Sequence, residues 1–118
     1  MKRHKYNAIK TTLDGITFAS KAEAKRYAEL KLLAQAGVIS NLILQPRFDC
    51  VVADIKICTY VADFMYLERG KQVTEDVKGV KTPVYKLKKK LVEAIHKIKI
   101  TEIKRWPVTS ARAKKWLR

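Results

Sequence analysis

The stretch that decides the fold runs from Tyr60 to Lys78, YVADFMYLERGKQVTEDVK. Both halves read as strands, the first apolar except for Asp63, and the segment ERGK between them predicts a tight turn that joins the two. Side chains two positions apart in a strand share a face, so Asp76 and Lys78 lie together. A carboxylate in an apolar strand is costly to bury without a partner. We therefore expect Asp63 and Asp76 to meet a metal ion at this hairpin.

Two helices are predicted on either side of this hairpin. Ser20 followed by Glu23 is a capping-box pattern, and the first helix is expected to run from Ser20 to about Ala36, before Gly37. Thr82-Pro83 is typical of an N-cap followed by proline at the first helical position. The second helix is expected to end near Ile95, with four apolar residues on one side: Val84, Leu87, Leu91 and Ile95.

The remaining strands follow from alternating apolar patterns and turn residues. Asp14-Gly15 predicts a turn between short extended segments at 9–13 and 16–18. One strand before the hairpin joins its two strands in an antiparallel meander. The three strands are expected at Phe48–Ala53, Lys56–Tyr66 and Gln72–Lys78. A last strand at Lys97–Ile103 follows a helix, so it is expected to pair in parallel with a neighbour. The fold class is therefore α+β, with a mixed central sheet flanked by helices and an αβββαβ order.

The charge of the chain indicates a polyanionic partner. There are 26 Lys and Arg against 11 Asp and Glu among 118 residues, a net charge of +15. Nucleic acid is the simplest partner, because no apolar run of about 18 residues could span a membrane. No signal-peptide pattern opens the chain, so we expect one soluble, cytoplasmic domain over 1–118, with a basic N-terminal arm (1–12) and a basic tail (104–118). Cys50 and Cys58 are expected to be buried free thiols.

Asp63, Asp76 and Lys78 fit a metal-dependent phosphodiesterase. Oxygen ligands suit Mg²⁺, which binds a couple of carboxylates together with waters and substrate phosphate. Lys78 could orient the attacking water or stabilise charge on the phosphate. The competing interpretation is an exposed strand face with an Asp–Lys pair of little energetic value. For Glu23 two roles are open and compatible, a helix cap or a third carboxylate that reaches the metal. No motif for a small-molecule cofactor is present.

These residues resemble the PD-(D/E)XK nuclease superfamily, and in particular a small family of phage and prophage proteins known as a domain of unknown function. The stretches that carry the resemblance are Asp14-Gly15-Ile16, Ser20-Lys21-Ala22-Glu23-Ala24, Leu44-Gln45-Pro46, Ala62-Asp63-Phe64 and Glu75-Asp76-Val77-Lys78-Gly79. Ala62 stands where the superfamily name has proline. Glu75 would replace Asp76 in the site after a one-residue register slip, but the alternation with Lys78 favours Asp76.

The resemblance implies a restriction-endonuclease-like fold and a Mg²⁺-dependent DNA endonuclease, with Mn²⁺ as a substitute ion. Its catalytic residues would be Glu23, Asp63, Asp76 and Lys78, with metal ligands from Glu23, Asp63, Asp76 and the Val77 carbonyl. The most natural role is Holliday-junction or branched-DNA resolution by a homodimer in a bacterial host. The alternatives are a non-catalytic nucleic-acid-binding protein and a transposase or recombination endonuclease acting on protein-held DNA ends.

Basic residues of the arm and the second helix are the expected DNA contacts. The arm is either a frayed terminus or a DNA-contacting segment in which Tyr6 stacks on a base. Phosphate contacts of this kind weaken steeply with salt. The candidates are Arg3, Lys5, Tyr6, Lys21, Lys81, Lys86, Lys89 and Lys90.

Overall fold

The computed structural model describes residues 10–104, which form an α+β fold with a mixed central sheet and two helices. The elements are β1 Thr11–Leu13, β2 Ile16–Phe18, α1 Lys21–Gln35, β3 Ile39–Leu44, β4 Arg47–Val52, β5 Ile55–Val61, β6 Phe64–Glu68, β7 Lys71–Lys78, α2 Pro83–His96 and β8 Ile100–Lys104. The predicted α+β class with a mixed central sheet is confirmed. Within residues 10–104, no helix is long and apolar enough to cross a membrane.

The central sheet has four strands in the order β3-β6-β7-β8. Its first three strands are antiparallel neighbours, whereas β8 pairs in parallel with β7, as predicted for a strand that returns after a helix. Two further hairpins, β1–β2 and β4–β5, stand outside this sheet. The strand β7 therefore lies in the interior of the sheet, between β6 and β8.

The predicted strand Lys56–Tyr66 is wrong as a single element. It bends at Ala62 and Asp63, so β5 pairs with β4 while β6 pairs with β3 and β7. The bend lies opposite Gln45-Pro46, where the chain also passes from β3 to β4. Proline has no N–H to continue a ladder. Instead, the Ala62 N–H donates to the Pro46 carbonyl at 3.1 Å, and the Gln45 N–H donates to the Asp63 carbonyl at 2.9 Å. In place of the predicted three-stranded meander there are therefore two hairpins, β4–β5 and β6–β7, joined at the bend at Ala62 and Asp63.

Each face of the central sheet has its own core. On one face α1 and the β1–β2 hairpin bury residues that include Phe18, Leu30 and Tyr66. On the other face α2 and the β4–β5 hairpin bury residues that include Tyr60 and Val92. Burying a large apolar side chain contributes about 1.5–3 kcal/mol. The sheet is therefore covered on both sides, and polar groups on β7 are buried whichever way they point.

The two helices begin as predicted, but α2 presents a different face to the core. The Glu23 N–H donates to Ser20 Oγ at 3.2 Å, and the Tyr85 N–H donates to Thr82 Oγ1 at 3.1 Å, so both caps form. On α2, however, Val84 and Leu87 are 63% and 68% exposed. The helix turns Tyr85 and Val92 to the core, and of the four predicted residues Leu91 and Ile95 pack beside them.

The two cysteines face each other across the β4–β5 hairpin. Cys50 is buried, Cys58 is half-buried, and both are free thiols, as predicted. Burial raises the pKa of the Cys50 thiol, and contact with Cys58 raises it further. Cys50 therefore stays protonated at neutral pH and serves as a small apolar residue of the core on the α2 side.

Candidate active site

Asp63 lies at the bend between β5 and β6 rather than within a strand. Its Oδ2 accepts the Val77 N–H at 2.7 Å, and its own N–H donates to the Glu75 carbonyl at 3.1 Å. The bend created opposite Pro46 thus turns the Asp63 carboxylate against the middle of β7. Two hydrogen bonds to β7 hold the backbone and the side chain in that position.

Asp76 lies on the face of β7 that is covered by α2 and the β4–β5 hairpin. It is 2% exposed, and the Tyr60 hydroxyl donates to its Oδ2. The pKa of Asp76 is raised to about 7. Burial is the main cause, the Tyr60 hydroxyl opposes it, the Asp63 charge adds to it and the Lys78 ammonium opposes it. The side chains of Asp63 and Asp76 are close enough to shift each other's pKa. The two carboxyl groups are therefore in contact.

The pKa of Asp63 is also raised. Burial is the main cause and the negative charge of Glu23 on α1 is the second, whereas the Val77 N–H lowers it. With two raised carboxyl groups in contact, the pair retains a proton at a pH where isolated aspartates have lost theirs. This proton offsets the repulsion between the two carboxylates.

Lys78, the last residue of β7, brings a cation to the same face. Its Nζ lies 3.9 Å from Asp76 Oδ1 and 4.2 Å from the centroid of the Tyr85 ring. The Lys78 side chain is 27% exposed, so the ammonium group reaches solvent while Asp76 does not. The structure therefore brings Asp63, Asp76 and Lys78 together, as the strand pattern predicts.

Glu75 points to the opposite face of the sheet. Arg26 of α1 donates to both Glu75 carboxylate oxygens, at 2.8 Å from Nε and 2.7 Å from Nη2, and the Tyr66 hydroxyl donates to Glu75 as well. Glu75 is 1% exposed and fully engaged by these donors. The two neighbouring acids thus lie on opposite faces of β7, and Asp76 is the one that meets Asp63.

Glu23 and Val77 are placed near the pair without a defined ligand role. The Glu23 charge acts on Asp63, but within residues 10–104 no group of three or more His, Cys, Asp or Glu side chains is arranged to hold a metal ion. The Val77 N–H is bound to Asp63. Metal coordination by Glu23 and by the Val77 carbonyl stays a prediction.

The Asp63–Asp76 pair nevertheless fits a hard divalent cation. Mg²⁺ commonly uses one or two carboxylates and keeps several waters. The buried Asp76 and the half-buried Asp63 offer carboxylate oxygens whose mutual repulsion a cation would relieve. Asp63 and Asp76 are therefore the residues that would hold Mg²⁺ or Mn²⁺.

A basic groove runs along α2 beside this pair. Its volume is about 370 Å³, and its walls are Lys81, Tyr85, Lys86, Lys89, Lys90, Glu93 and Glu102. Four lysines in one groove make it an anion-binding surface. The groove shares Tyr85 with the surroundings of Lys78, so the two features are adjacent.

Glu102 of β8 forms ion pairs with two lysines of the groove, Lys81 and Lys89. Its carboxylate lies 2.8 Å from Lys81 Nζ and 3.4 Å from Lys89 Nζ, and it accepts the Tyr85 hydroxyl at 2.7 Å. These partners, Lys81 first, lower the pKa of Glu102 to about 2. Lys86 and Lys90 are exposed and, within residues 10–104, have no carboxylate partner. Their charges are the ones available to an external anion.

Three functional neighbours were not predicted from the sequence. Tyr60 contacts Asp76, Tyr85 contacts Lys78, and Glu102 binds two lysines of the groove. In the sequence each of them belongs to an ordinary apolar or alternating pattern. Of the other predicted DNA contacts, Lys21 is exposed at the start of α1. Arg3, Lys5 and Tyr6 lie outside the described residues.

The fold and the site define a class: an α+β domain in which Asp76 and Lys78 of one strand meet Asp63 at a bend, beside a basic groove. The chain belongs to the family described as "Protein of unknown function (DUF1064)", whose sequence model matches residues 3–115. No curated protein and no solved structure matches the chain.

Proposed function

We propose that this protein is a Mg²⁺-dependent DNA endonuclease of the PD-(D/E)XK type. The observation that carries the proposal is that the half-buried Asp63 and the buried Asp76 lie close together, with Lys78 on the same strand face as Asp76. Burying two carboxylates together is unfavourable unless a cation or a proton neutralises them. A site that gathers such a pair beside a lysine and a basic groove is suited to phosphodiester hydrolysis.

The topology supports this proposal. Without the β1–β2 and β4–β5 hairpins, the chain has α1, three antiparallel strands, α2 and a parallel strand. This is the αβββαβ order that the resemblance to PD-(D/E)XK nucleases implies. Asp76 and Lys78 lie on β7, an inner strand of that sheet, and Asp63 lies at the bend that precedes β6.

In the proposed reaction each residue has a distinct task. Mg²⁺, when bound, polarises the scissile phosphate and lowers the pKa of a bound water. Asp63 and Asp76 would hold the ion, and Tyr60 keeps Asp76 in place through its hydroxyl. The Lys78 ammonium orients the attacking water or stabilises negative charge on the phosphate. Glu75 takes no part, because Arg26 and the sheet separate it from the pair.

The groove supports DNA as the substrate. Lys86 and Lys90 lie one helical turn apart on α2, a spacing of about 6 Å that lets both reach one phosphate backbone. Their charges are not neutralised within the described residues, unlike those of Lys81 and Lys89. Replacing both by glutamine should weaken DNA binding and reduce the slope of log K against log salt by about 2. The exposed Lys25 on α1 provides the matched control, and K25Q should change neither quantity appreciably.

Branched DNA is the substrate we propose, on the strength of the family resemblance. Symmetric cutting of a four-way junction requires two active sites, and therefore a homodimer with two-fold symmetry. A phage or prophage protein of this kind would act in the cytoplasm of its bacterial host. Comparing four-way junctions, flaps and linear duplexes tests the assignment, since equal cleavage of all three contradicts it. Cleavage only when a partner protein holds the DNA ends would instead identify a recombination endonuclease.

The deciding experiment is cleavage of a labelled four-way junction with and without Mg²⁺. We expect Mg²⁺-dependent nicking by the wild-type protein and the loss of at least 100-fold in rate for D76N and K78M. E29Q is the control, because Glu29 is an exposed residue of α1 whose ion pair is with Arg26 and not with Asp63, Asp76 or Lys78. Identical behaviour of wild type, D76N and K78M contradicts the proposal.

The second candidate function is non-catalytic nucleic-acid binding, which the groove alone would support. In that case junction affinity would depend on Lys86 and Lys90 while no divalent ion produced cleavage. The same assay, read by mobility shift, separates the two functions.

A further inference from the structure

We propose that Tyr85 is a positioning residue that holds the Lys78 ammonium beside Asp76. The inference rests on the proposed nuclease function and adds a residue that the sequence pattern does not indicate. Lys78 Nζ lies 4.2 Å from the Tyr85 ring centroid, a distance at which a cation is attracted to the face of an aromatic ring. Tyr85 acts through Lys78 and does not contact the phosphate.

Lys78 needs such support because its other contact is loose. The separation of 3.9 Å between Lys78 Nζ and Asp76 Oδ1 is longer than a normal hydrogen bond. The lysine side chain has a flexible four-carbon stem, and Lys78 stands at the last residue of β7 with its side chain partly in solvent. Asp76 alone therefore does not fix the ammonium group. The ring of Tyr85 limits the positions that it can occupy.

The Tyr85 ring is itself held in place from several sides. It is 9% exposed, its hydroxyl donates to Glu102 at 2.7 Å, and its centroid lies 6.5 Å from that of Tyr60. Glu102 lies opposite Asp76 in the β7–β8 register, and Lys81 lies 2.8 Å from its carboxylate. One face of the ring therefore contacts the ammonium group while its hydroxyl belongs to the groove. Tyr85 is the shared wall between the proposed reaction site and the DNA groove.

The test uses Y85F, which keeps the ring, and Y85L, which removes it. Junction cleavage with Mg²⁺ should show kcat lowered about tenfold in Y85L relative to Y85F, equivalent to about 1.4 kcal/mol. The Kd for the junction, measured without divalent ion, reports separately how far loss of the ring alters the groove, so kcat at saturating junction carries the test. In a K78M background, Y85L should cause no further loss of kcat, because Tyr85 acts only through Lys78. If Y85L does not fold, Y85M replaces the ring by a flexible apolar chain of similar reach.

A second readout does not depend on cleavage. The Lys78 ε-methylene protons should show an upfield ring-current shift in NMR spectra of the wild type and Y85F, and that shift should be lost in Y85L. If the wild-type protein cuts DNA and Y85L has the same kcat as Y85F, the positioning role is refuted. It is also refuted if Y85L lowers kcat in the K78M background as much as it does in the wild type. The absence of the shift in wild type refutes the contact. A wild-type protein that shows the shift and cuts no DNA refutes the proposed function instead.

Discussion

The ion pair between Arg26 and Glu75 joins α1 to β7 directly behind the site, and its removal should cost a large fraction of the protein's stability. In R26M the carboxylate of Glu75, 1% exposed, loses two hydrogen bonds from a cation and retains that of the Tyr66 hydroxyl. Methionine keeps most of the apolar stem, so the charge is the main loss. Breaking a buried pair from one side costs about 3–5 kcal/mol. Total stability is roughly 5–15 kcal/mol, so this is a large fraction.

Urea unfolding followed by circular dichroism measures this loss. The matched control is E29Q, because Glu29 is the other carboxylate partner of Arg26 and is 50% exposed. Its replacement should cost about 0–1 kcal/mol. The double variant R26M/E75Q leaves no buried charge and should be more stable than R26M alone. A loss in R26M no larger than in E29Q, or additive losses in the double variant, would refute the reasoning.

Three further outcomes are expected. Mg²⁺ should raise the melting temperature of the wild type and not that of D76N, with about 2.7 kcal/mol of stabilisation at 100 times Kd; an equal shift in both would place the ion elsewhere. The Glu102 pKa is held at about 2, chiefly by Lys81, against an ordinary 4.5. The ionised Glu102 therefore contributes to the free energy of unfolding above pH 4.5, and this contribution is lost as the pH falls through 2. E102Q should therefore lose up to about 3 kcal/mol at pH 7, less after solvent screening, and little at pH 2; a pH-independent loss in urea titrations would contradict this. K86Q/K90Q should release junctions at lower salt than K25Q, as mobility shifts would show.

The local patterns predicted the elements well where a single physical rule decides them. Ser20 and Gly37 mark the ends of α1 through a cap and a residue with φ of 78°. The alternation of Glu75, Asp76 and Lys78 placed the two acids on opposite faces of β7, and the structure has them so. These predictions need only the period of a strand and the geometry of a helix end.

The pairing of the strands could not be derived in the same way. The bend at Asp63 depends on Pro46, which lies 17 positions earlier and meets it only after β3–β6 and β4–β5 have paired. Likewise, α2 is oriented so that Tyr85 and Val92 pack into the core beside β4 and β5. Val84 and Leu87 match the helical period equally well, yet they are exposed. Tertiary contacts choose between patterns that are equivalent in the local sequence.

The parallel pairing of β7 with β8 has a consequence for the order in which the protein becomes functional. Each partner on β8 lies 26 residues after its partner on β7, as in Thr74 with Ile100. Until β8 has been synthesised and has crossed over, β7 is an unpaired edge, and neither Glu102 nor its lysines can support Tyr85. Closing a loop of that length is a slow, non-local step compared with hairpin formation. The acidic pair needs only the hairpin strands, whereas the support of Tyr85 needs β8 as well. Under the proposed function, the residues that would hold the cation would therefore come together before the lysine beside them is positioned.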